Sequence, residues 1–136
     1  MKRLYIVLTV LLTSTLLLAN NPENKNTEKT LLDGLNSDNL GLQVSSAVML
    51  GELKSESAVN SLTKALRNSA DIRLRKAAAQ SLAKIGTERS LFVIKQEIRF
   101  NDDETVRTIC TKLLQGTEKL KLDSEQDQSK DFLAAK

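Results

Sequence analysis

Apolar residues between positions 30 and 115 recur every three or four residues, which is the spacing of amphipathic α-helices and not of strands. The pattern predicts helices over 41–53, 57–68, 72–85, 89–100 and 103–115. A short apolar run at 30–35 indicates the remains of one more helix. The chain is therefore predicted to be all-α.

The predicted helices repeat along the chain. Leu42, Leu74 and Val106 are equally spaced, with a period of about 32 residues. A second set of apolar positions follows in the same register: Leu50, Leu82 and Leu114. Each unit is a helical hairpin, an A helix followed by a B helix, and the third unit offers an A helix alone. A period of this length predicts a short α-solenoid of about 2.5 units.

Residues suited to capping stand at the predicted helix boundaries. Carboxylates and hydroxyls accept hydrogen bonds from the free N–H groups at a helix start, and glycine adopts the left-handed conformation that ends a helix. The N-cap candidates for A helices are Asp71 and Asp102 or Asp103, and those for B helices are Ser55 and Thr87. Gly86 follows the A helix of unit two.

The N-terminus carries the features of an export signal. Lys2 and Arg3 precede an uncharged apolar run over 4–19, which ends at Ala19 before a polar stretch. The run covers roughly 24 Å as a helix, less than the roughly 30 Å of a hydrocarbon core. We expect 1–19 to be a cleaved signal peptide, so that the protein is periplasmic or secreted. The alternative is an uncleaved segment that anchors the protein in a membrane.

The segments that flank the repeats are polar. Residues 20–29 hold four asparagines, one proline and alternating charges, which is typical of a disordered linker. Residues 116–136 are rich in Lys, Asp, Gln and Ser and are predicted to form a polar C-terminal tail. The repeat domain is predicted to span 30–115.

Composition excludes several classes of site. The 136 residues include no histidine and one cysteine, which rules out His/Cys zinc sites, Ser-His-Asp triads and disulfides within the chain. Without residues 1–19 the chain has 18 basic and 17 acidic side chains, so its charge does not argue for nucleic acid. Aromatic residues make up 3% of the chain, too few for base-stacking platforms. We expect no cofactor and no metal.

Residues 71–86, read as DIRLRKAAAQSLAKIG, resemble HEAT repeats of the short phycobilisome-lyase type. So do 50–53 and 58–66, and Val106-Arg107 restates one step of the pattern. The resemblance implies a right-handed superhelix with A helices outside and B helices inside, where partners dock. Two departures are Lys54, in place of a glycine, and Phe92, in place of a proline.

Enzymatic activity does not carry over from this resemblance. Lyase relatives attach bilin pigments, and no matching catalytic motif is present here. Hydroxylase relatives use His-Glu iron sites, and this sequence has no histidine. The resemblance therefore implies a non-enzymatic role in binding another protein or peptide.

Two residue types stand at repeated positions of the A helices. Arg75 and Arg107 lie one repeat apart, and the resemblance implies that such an arginine bonds loop carboxylates or carbonyls; Asp71 and Asp103 are the expected acceptors. Cys110 takes the position of a buried alanine in unit two and is expected to be an inert core residue. An intermolecular disulfide is the alternative for Cys110.

The B helix of unit two has more apolar residues than its counterpart. Phe92 and Val93 stand where unit one has Asn60 and Ser61. Such surplus apolar side chains mark a contact surface, unless they pack between helices or a terminal tail covers them. The candidate partner-binding residues are Phe92, Val93, Gln96, Arg99, Lys64 and Arg67.

The sequence thus predicts an exported protein-interaction module whose partner docks on the helix-B face. The first alternative is a structural envelope protein that self-associates through the open end of the repeats near Ile109 and Leu113. The second is an accessory subunit of an enzyme complex. Nucleic acid is not an expected partner, and a membrane is one only if residues 4–19 stay uncleaved.

Overall fold

The computed structural model describes the backbone of residues 22–134 and the side chains of residues 25–126. In that part of the chain every regular element is an α-helix, which confirms the predicted all-α class. The helices are α1 Pro22–Leu35, α2 Leu40–Glu52, α3 Val59–Asn68, α4 Ile72–Ile85, α5 Glu88–Phe100 and α6 Glu104–Ala134. The chain divides into two compact units, Met1–Thr30 and Leu31–Lys136, and helices α2 to α6 lie in the second.

Helices α2, α4 and α6 are the A helices of three successive units, and α3 and α5 are the B helices of the first two. The A helices of units one and two pack directly on each other, whereas the two B helices barely touch. One core runs through the hairpins. Its largest fully buried apolar side chains are Leu50, Leu62, Leu66, Leu82, Ile94, Val59, Val106 and Cys110.

The A helices α2 and α4 cross most closely at Gly51. A Cβ built on Gly51 would lie 2.7 Å from Cα of Ser81. The Ser81 hydroxyl also donates a hydrogen bond of 2.7 Å to the backbone carbonyl of Ala47. Small residues at this crossing let the two backbones approach each other.

The A helices start on a repeated cap. Asp71 accepts a hydrogen bond from the backbone N–H of Arg73, and Asp103 accepts one from that of Thr105, each at 2.8 Å. Asn39 caps α2 in the same way, through the N–H of Leu42 at 3.0 Å. Successive caps lie one repeat apart, so the repeated cap extends to unit one, where Asn39 was not among the predicted N-caps.

The B helices start differently from each other. Thr87 caps α5 as predicted, with its hydroxyl 3.4 Å from the backbone N of Ser90. Ser55 accepts a hydrogen bond from the N–H of Ala58 at 3.3 Å, but α3 begins at Val59 and has no side-chain cap of its own. The hydroxyl of Ser55 therefore orders the loop ahead of α3.

Two equivalent positions end the A helices in the left-handed region. Gly86 follows α4 with φ 68°, as its place in the sequence predicts. Lys54, at the same position one repeat earlier, has φ 50°. Residues with a Cβ pay a steric cost in this region, so the departure at Lys54 retains the loop geometry and carries strain.

Helix extends into both flanking segments, which differs from the predicted linker and tail. Helix α1 begins at Pro22, and proline is well suited to a first helical turn. Helix α6 runs without a break through the predicted tail to Ala134. The packed first half of α6 supplies the nucleus, and the Glu-, Lys- and Gln-rich sequence that follows has good helix propensity.

The open end of the repeats is polar, not apolar as expected. Ile109 and Leu113 are half-buried and pack against the core. The exposed side chains on the outward face of α6 include Glu104, Thr108, Lys112 and Gln115. A polar outer face is typical of the terminal helix that caps a solenoid.

Candidate functional site

The B-helix surface, which we define as the exposed side chains of α3 and α5, holds most of the predicted site residues. Because the two B helices barely touch, clefts open between them. One cleft of about 440 Å³ lies beside Phe92, and a second of about 330 Å³ lies beside Phe100. We call them the Phe92 cleft and the Phe100 cleft.

The Phe92 cleft brings an aromatic ring next to the start of both B helices. Phe92 is 59% exposed, and Val59 of α3 forms part of the same wall. Arg89 crosses from α5 to α3 and donates a hydrogen bond of 2.6 Å to Oδ1 of Asn60. This exposed bond links the two helices, and Phe92 stays open to solvent.

The Phe100 cleft lies at the other end of the same surface. Phe100 is 72% exposed, which makes it more open than Phe92. Beneath it the carboxylate of Glu97 is buried and accepts hydrogen bonds of 2.6 Å from Nε of Arg67 and from Nδ2 of Asn101. The predicted site did not include Phe100, although it stands where unit one has Asn68.

Three further predicted site residues, Arg99, Lys64 and Gln96, differ in exposure and in the cleft that they border. Arg99 and Lys64 are exposed, and Gln96 is half-buried beside the Phe100 cleft. Phe92, Gln96 and Arg99 follow the i, i+4, i+7 spacing of one helix face. Lys64 lies on the far side of α3, where it lines a separate cleft.

Val93 is a correction to the predicted site. It lies one residue after Phe92, which rotates its side chain by about 100° around the helix axis and away from the exposed face. Val93 is half-buried and packs against the core. Its position between α5 and the core explains why it is apolar, and it is removed from the candidate surface.

Arg67 has a structural partner that the sequence did not reveal. Its Nε atom lies 2.6 Å from Oε1 of Glu97, and the carboxylate side chain is 5% exposed. A buried carboxylate needs a partner. The main role of Arg67 is therefore to neutralise Glu97, and its exposed part lies at the edge of the B-helix surface. The two residues are 30 positions apart in the chain, and their long side chains meet because α3 and α5 are neighbours, which no local pattern shows.

Arg75 ties the repeats together in a way that was predicted in part. It bonds Asp103 at 2.8 Å, as expected, and also Oδ1 of Asn101 at 3.1 Å and the carbonyl of Leu66 at 3.0 Å. Asp71 is not among its acceptors, because Asp71 pairs with Arg73 at 2.9 Å. Arg75 therefore joins the end of α3 to the loop before α6.

Arg107 bonds loop carbonyls, as the resemblance implied. Its Nη1 atom donates to the carbonyl of Asn101 at 2.7 Å and to that of Asp102 at 3.2 Å. The pKa of Asp103 in the same loop is lowered, first by the N–H of Thr105 and then with help from the charge of Arg75. Both repeated arginines thus hold the loop between α5 and α6.

Cys110 is a core residue. Its side chain is fully buried, and burial raises the pKa of its thiol to about 11, with the charge of Glu97 acting in the same direction. A thiol with a raised pKa is neutral at physiological pH and reacts slowly. This agrees with the expectation of an inert residue.

The B helices are basic. Helices α3 and α5 contain five basic residues and two acidic ones: Lys64, Arg67, Arg89, Lys95, Arg99, Glu88 and Glu97. Arg67 and Glu97 neutralise each other, and the other four cations are exposed and form no ion pair among the described residues. The exposed side chains of α3 and α5 therefore carry net positive charge, while acidic residues are among those that line both clefts.

No metal-binding constellation lies in the described part of the chain. Among those residues no group of three or more His, Cys, Asp and Glu side chains converges. No helix there is long and apolar enough to cross a membrane.

The family model for HEAT repeats matches residues 28–115. The chain belongs to the HEAT-repeat family. This match covers the helices that carry both clefts, so the B-helix surface is the B-helix face of a HEAT-repeat array. HEAT repeats generally mediate interactions between proteins.

A solved structure supports the same fold. Human deoxyhypusine hydroxylase, in complex with glycerol, is similar to this chain with a TM-score of 0.59 and 25% sequence identity. The match covers 67% of this chain and 32% of the hydroxylase, so the chain spans about a third of that protein. No curated protein sequence matches the chain.

Proposed function

We propose that this protein is a non-enzymatic docking module that binds a segment of another protein on its B-helix surface. The observation that carries the proposal is the exposure of Phe92 and Phe100, at 59% and 72%. The equivalent positions of unit one are Asn60 and Asn68. Aromatic side chains gain most from burial in an interface, where they often act as anchors.

The charge of the surface defines the chemistry of the partner. Lys95 and Arg99 lie on α5 between the two phenylalanines in the sequence. Acidic side chains lie at the two ends of the surface, Glu56 by the Phe92 cleft and Asp102 by the Phe100 cleft. Complementary charge speeds association and fixes register. The partner is an acidic segment with apolar residues, whose carboxylates lie along the middle of α5.

The spacing of the two anchors limits the length of the segment. Phe92 and Phe100 lie on one helix, and their separation in sequence places their Cα atoms about 12 Å apart along its axis. An extended chain covers this distance in about four residues. The segment therefore presents two apolar side chains about four positions apart with acidic residues between them.

We place this activity in the cell envelope, after export. The support is the basic and apolar sequence of residues 1–19, which lies outside the described residues. The length of the repeat also resembles that of the short repeats of the phycobilisome-lyase type, and we assign the chain to that group without its activity.

Hydroxylation is not part of the proposal, although the similar human structure is a hydroxylase. The resemblance implies a His-Glu iron site in such enzymes, and this sequence has no histidine. Four carboxylates of the described region, those of Asp71, Asp103, Glu52 and Glu97, act as caps or as partners of arginine and lysine, and no three described carboxylates form a group that could hold a metal ion. The residues present do not fit an iron site.

A peptide selection tests the proposal. A random peptide library is selected against the protein and, in parallel, against Phe92→Ser and Phe100→Ser. We expect acidic peptides with two apolar residues, and binding to each variant about thirtyfold weaker, as for an interface residue worth ~2 kcal/mol. Circular dichroism and the melting temperature should stay unchanged, because both rings are exposed.

Met49→Ser is the matched control, since Met49 is a 49% exposed apolar residue on α2, away from the B helices. It should bind the selected peptides like the unchanged protein. Peptides without an acidic preference, or equal binding by both phenylalanine variants, would contradict the proposal.

A further inference from the structure

A second surface, independent of the B helices, lies along the A helices. A groove of about 600 Å³ runs between α4 and the middle of α6, with the end of α2 at one side. It is lined by the small residues Ser81, Ala83 and Gly116 and by Leu113 and Leu120, among others. A Cβ built on Gly116 would meet no atom within 4 Å, so this part of the groove has room for another side chain.

The helix that lines this groove continues beyond the repeats. From residue 118 to 126 every described side chain of α6 is exposed, including Leu120 at 70% and Leu122 at 59%. Large exposed apolar side chains of this kind mark a contact surface. Their continuity with the groove indicates that another element packs on this segment.

The geometry points to a second copy of this chain as that element. In an antiparallel, two-fold symmetric pair of α6 helices centred near residue 118, Leu120 of each copy lies opposite Gly116 of the other. The side chain of Leu120 then fills the space above Gly116, and the missing Cβ lets the helices approach. Such an interface is self-complementary and closes as a dimer.

The charges of the two halves of α6 agree with this pairing. In the same register Lys112 of one copy lies opposite Ser124 of the other, next to Asp123. Neither Lys112 nor Asp123 forms an ion pair within the described part of one chain. Lys54 at the edge of the groove adds a further cation. Asp123 of each helix thus faces the basic rim of the other groove.

Analytical ultracentrifugation tests the dimer. The protein should change from monomer to dimer between about 1 and 100 µM, the range of moderate affinities. Leu120→Asp should be monomeric throughout. Leu122→Asp is the control, because Leu122 lies about 200° around the helix from Leu120; it should still dimerise. A protein that is monomeric at the highest concentration, or a Leu120→Asp variant that dimerises like the unchanged protein, would overturn the inference.

Disulfide trapping checks the register without depending on stability. Gly116→Cys and Leu120→Cys are made separately in a Cys110→Ala background, and one of them carries a mass tag. Oxidation of the mixture should give mainly the mixed disulfide between the two variants. Equal amounts of the mixed and like-with-like disulfides would contradict the antiparallel register. Neither result affects the peptide selection, so the two proposals fail separately.

Discussion

At the scale of single residues, the backbone conformation at Lys54 and the burial of Cys110 lead to the sharpest expectations. Lys54 takes the left-handed conformation that Gly86 takes one repeat later. The loop after the A helix therefore has a glycine at its left-handed position in unit two and a lysine, which is strained there, in unit one. Cys110 is buried in a core otherwise made of aliphatic side chains.

Lys54→Gly should stabilise the protein by ~0.5–1 kcal/mol, because glycine removes the steric cost at φ 50° but loses more entropy on folding. Gly86→Ala is the matched change in the other direction and should destabilise the protein by ~1 kcal/mol. Urea unfolding of both variants measures these differences. A Lys54→Gly variant that is less stable than the unchanged protein would show that the lysine side chain itself stabilises the loop.

The thiol of Cys110 should react with a thiol reagent only after unfolding. Its pKa is raised from 9.0 to about 11, so the folded state favours the neutral thiol. The stabilisation is complete below pH 9 and is lost as the pH rises towards 11, because the unfolded thiol ionises first. Unfolding free energies measured against pH, with Cys110→Ala as control, should show this loss only when the cysteine is present. Rapid labelling of the native protein would contradict the burial.

The sequence predicted the roles of some single residues and not of others. The caps at Asp71, Thr87 and Gly86 could be predicted because capping depends on residue type and on a nearby helix end. The pairs Arg67–Glu97 and Arg89–Asn60 could not, because they join residues far apart in the chain, on helices whose rotation is set by packing. The same lack of rotational detail placed Val93 on the wrong face.

At the scale of elements, the crossing of α2 and α4 determines how one unit sits on the next. The close approach at Gly51 and the hydrogen bond from Ser81 to the carbonyl of Ala47 both lie at this crossing. A pair formed by Lys84 and Glu52 lies at the exposed edge of the same crossing. Exposed pairs add little to stability, so the crossing depends on small side chains.

Gly51→Ala should destabilise the protein by ~1–3 kcal/mol, because the added methyl group would overlap the backbone of Ser81 and push the helices apart. Ser45→Ala is the control on the exposed face of the same helix and should change the stability little. Thermal unfolding of both variants compares them. If Gly51→Ala melted at or above the temperature of the unchanged protein, as its helix propensity alone would predict, the close crossing would be wrong.

The lengths of α1 and α6 were the features least predictable from sequence. Polar composition predicted a linker and a tail, yet nothing in 22–29 or 116–134 breaks a helix that the repeats have already nucleated. Composition reports whether a segment can bury a core of its own. It does not report whether a neighbouring helix will continue through it.

At the scale of the whole molecule, the repeat uses its two sides differently. The A helices pack closely through small residues, while the B helices stand apart and expose two phenylalanines within a basic surface. The polar face of α6 closes the array at one end. The regular period made this architecture predictable, because repetition places equivalent residues at equivalent positions without any long-range information.

Chemical-shift mapping of the isotope-labelled protein with a selected acidic peptide tests docking on the B-helix surface. We expect the backbone amide signals of α5 near Phe92 and Phe100, and those of α3 facing them, to change most, and added salt to weaken the binding. Changes confined to the groove between α4 and α6, or spread evenly over the molecule, would contradict docking on the B-helix surface.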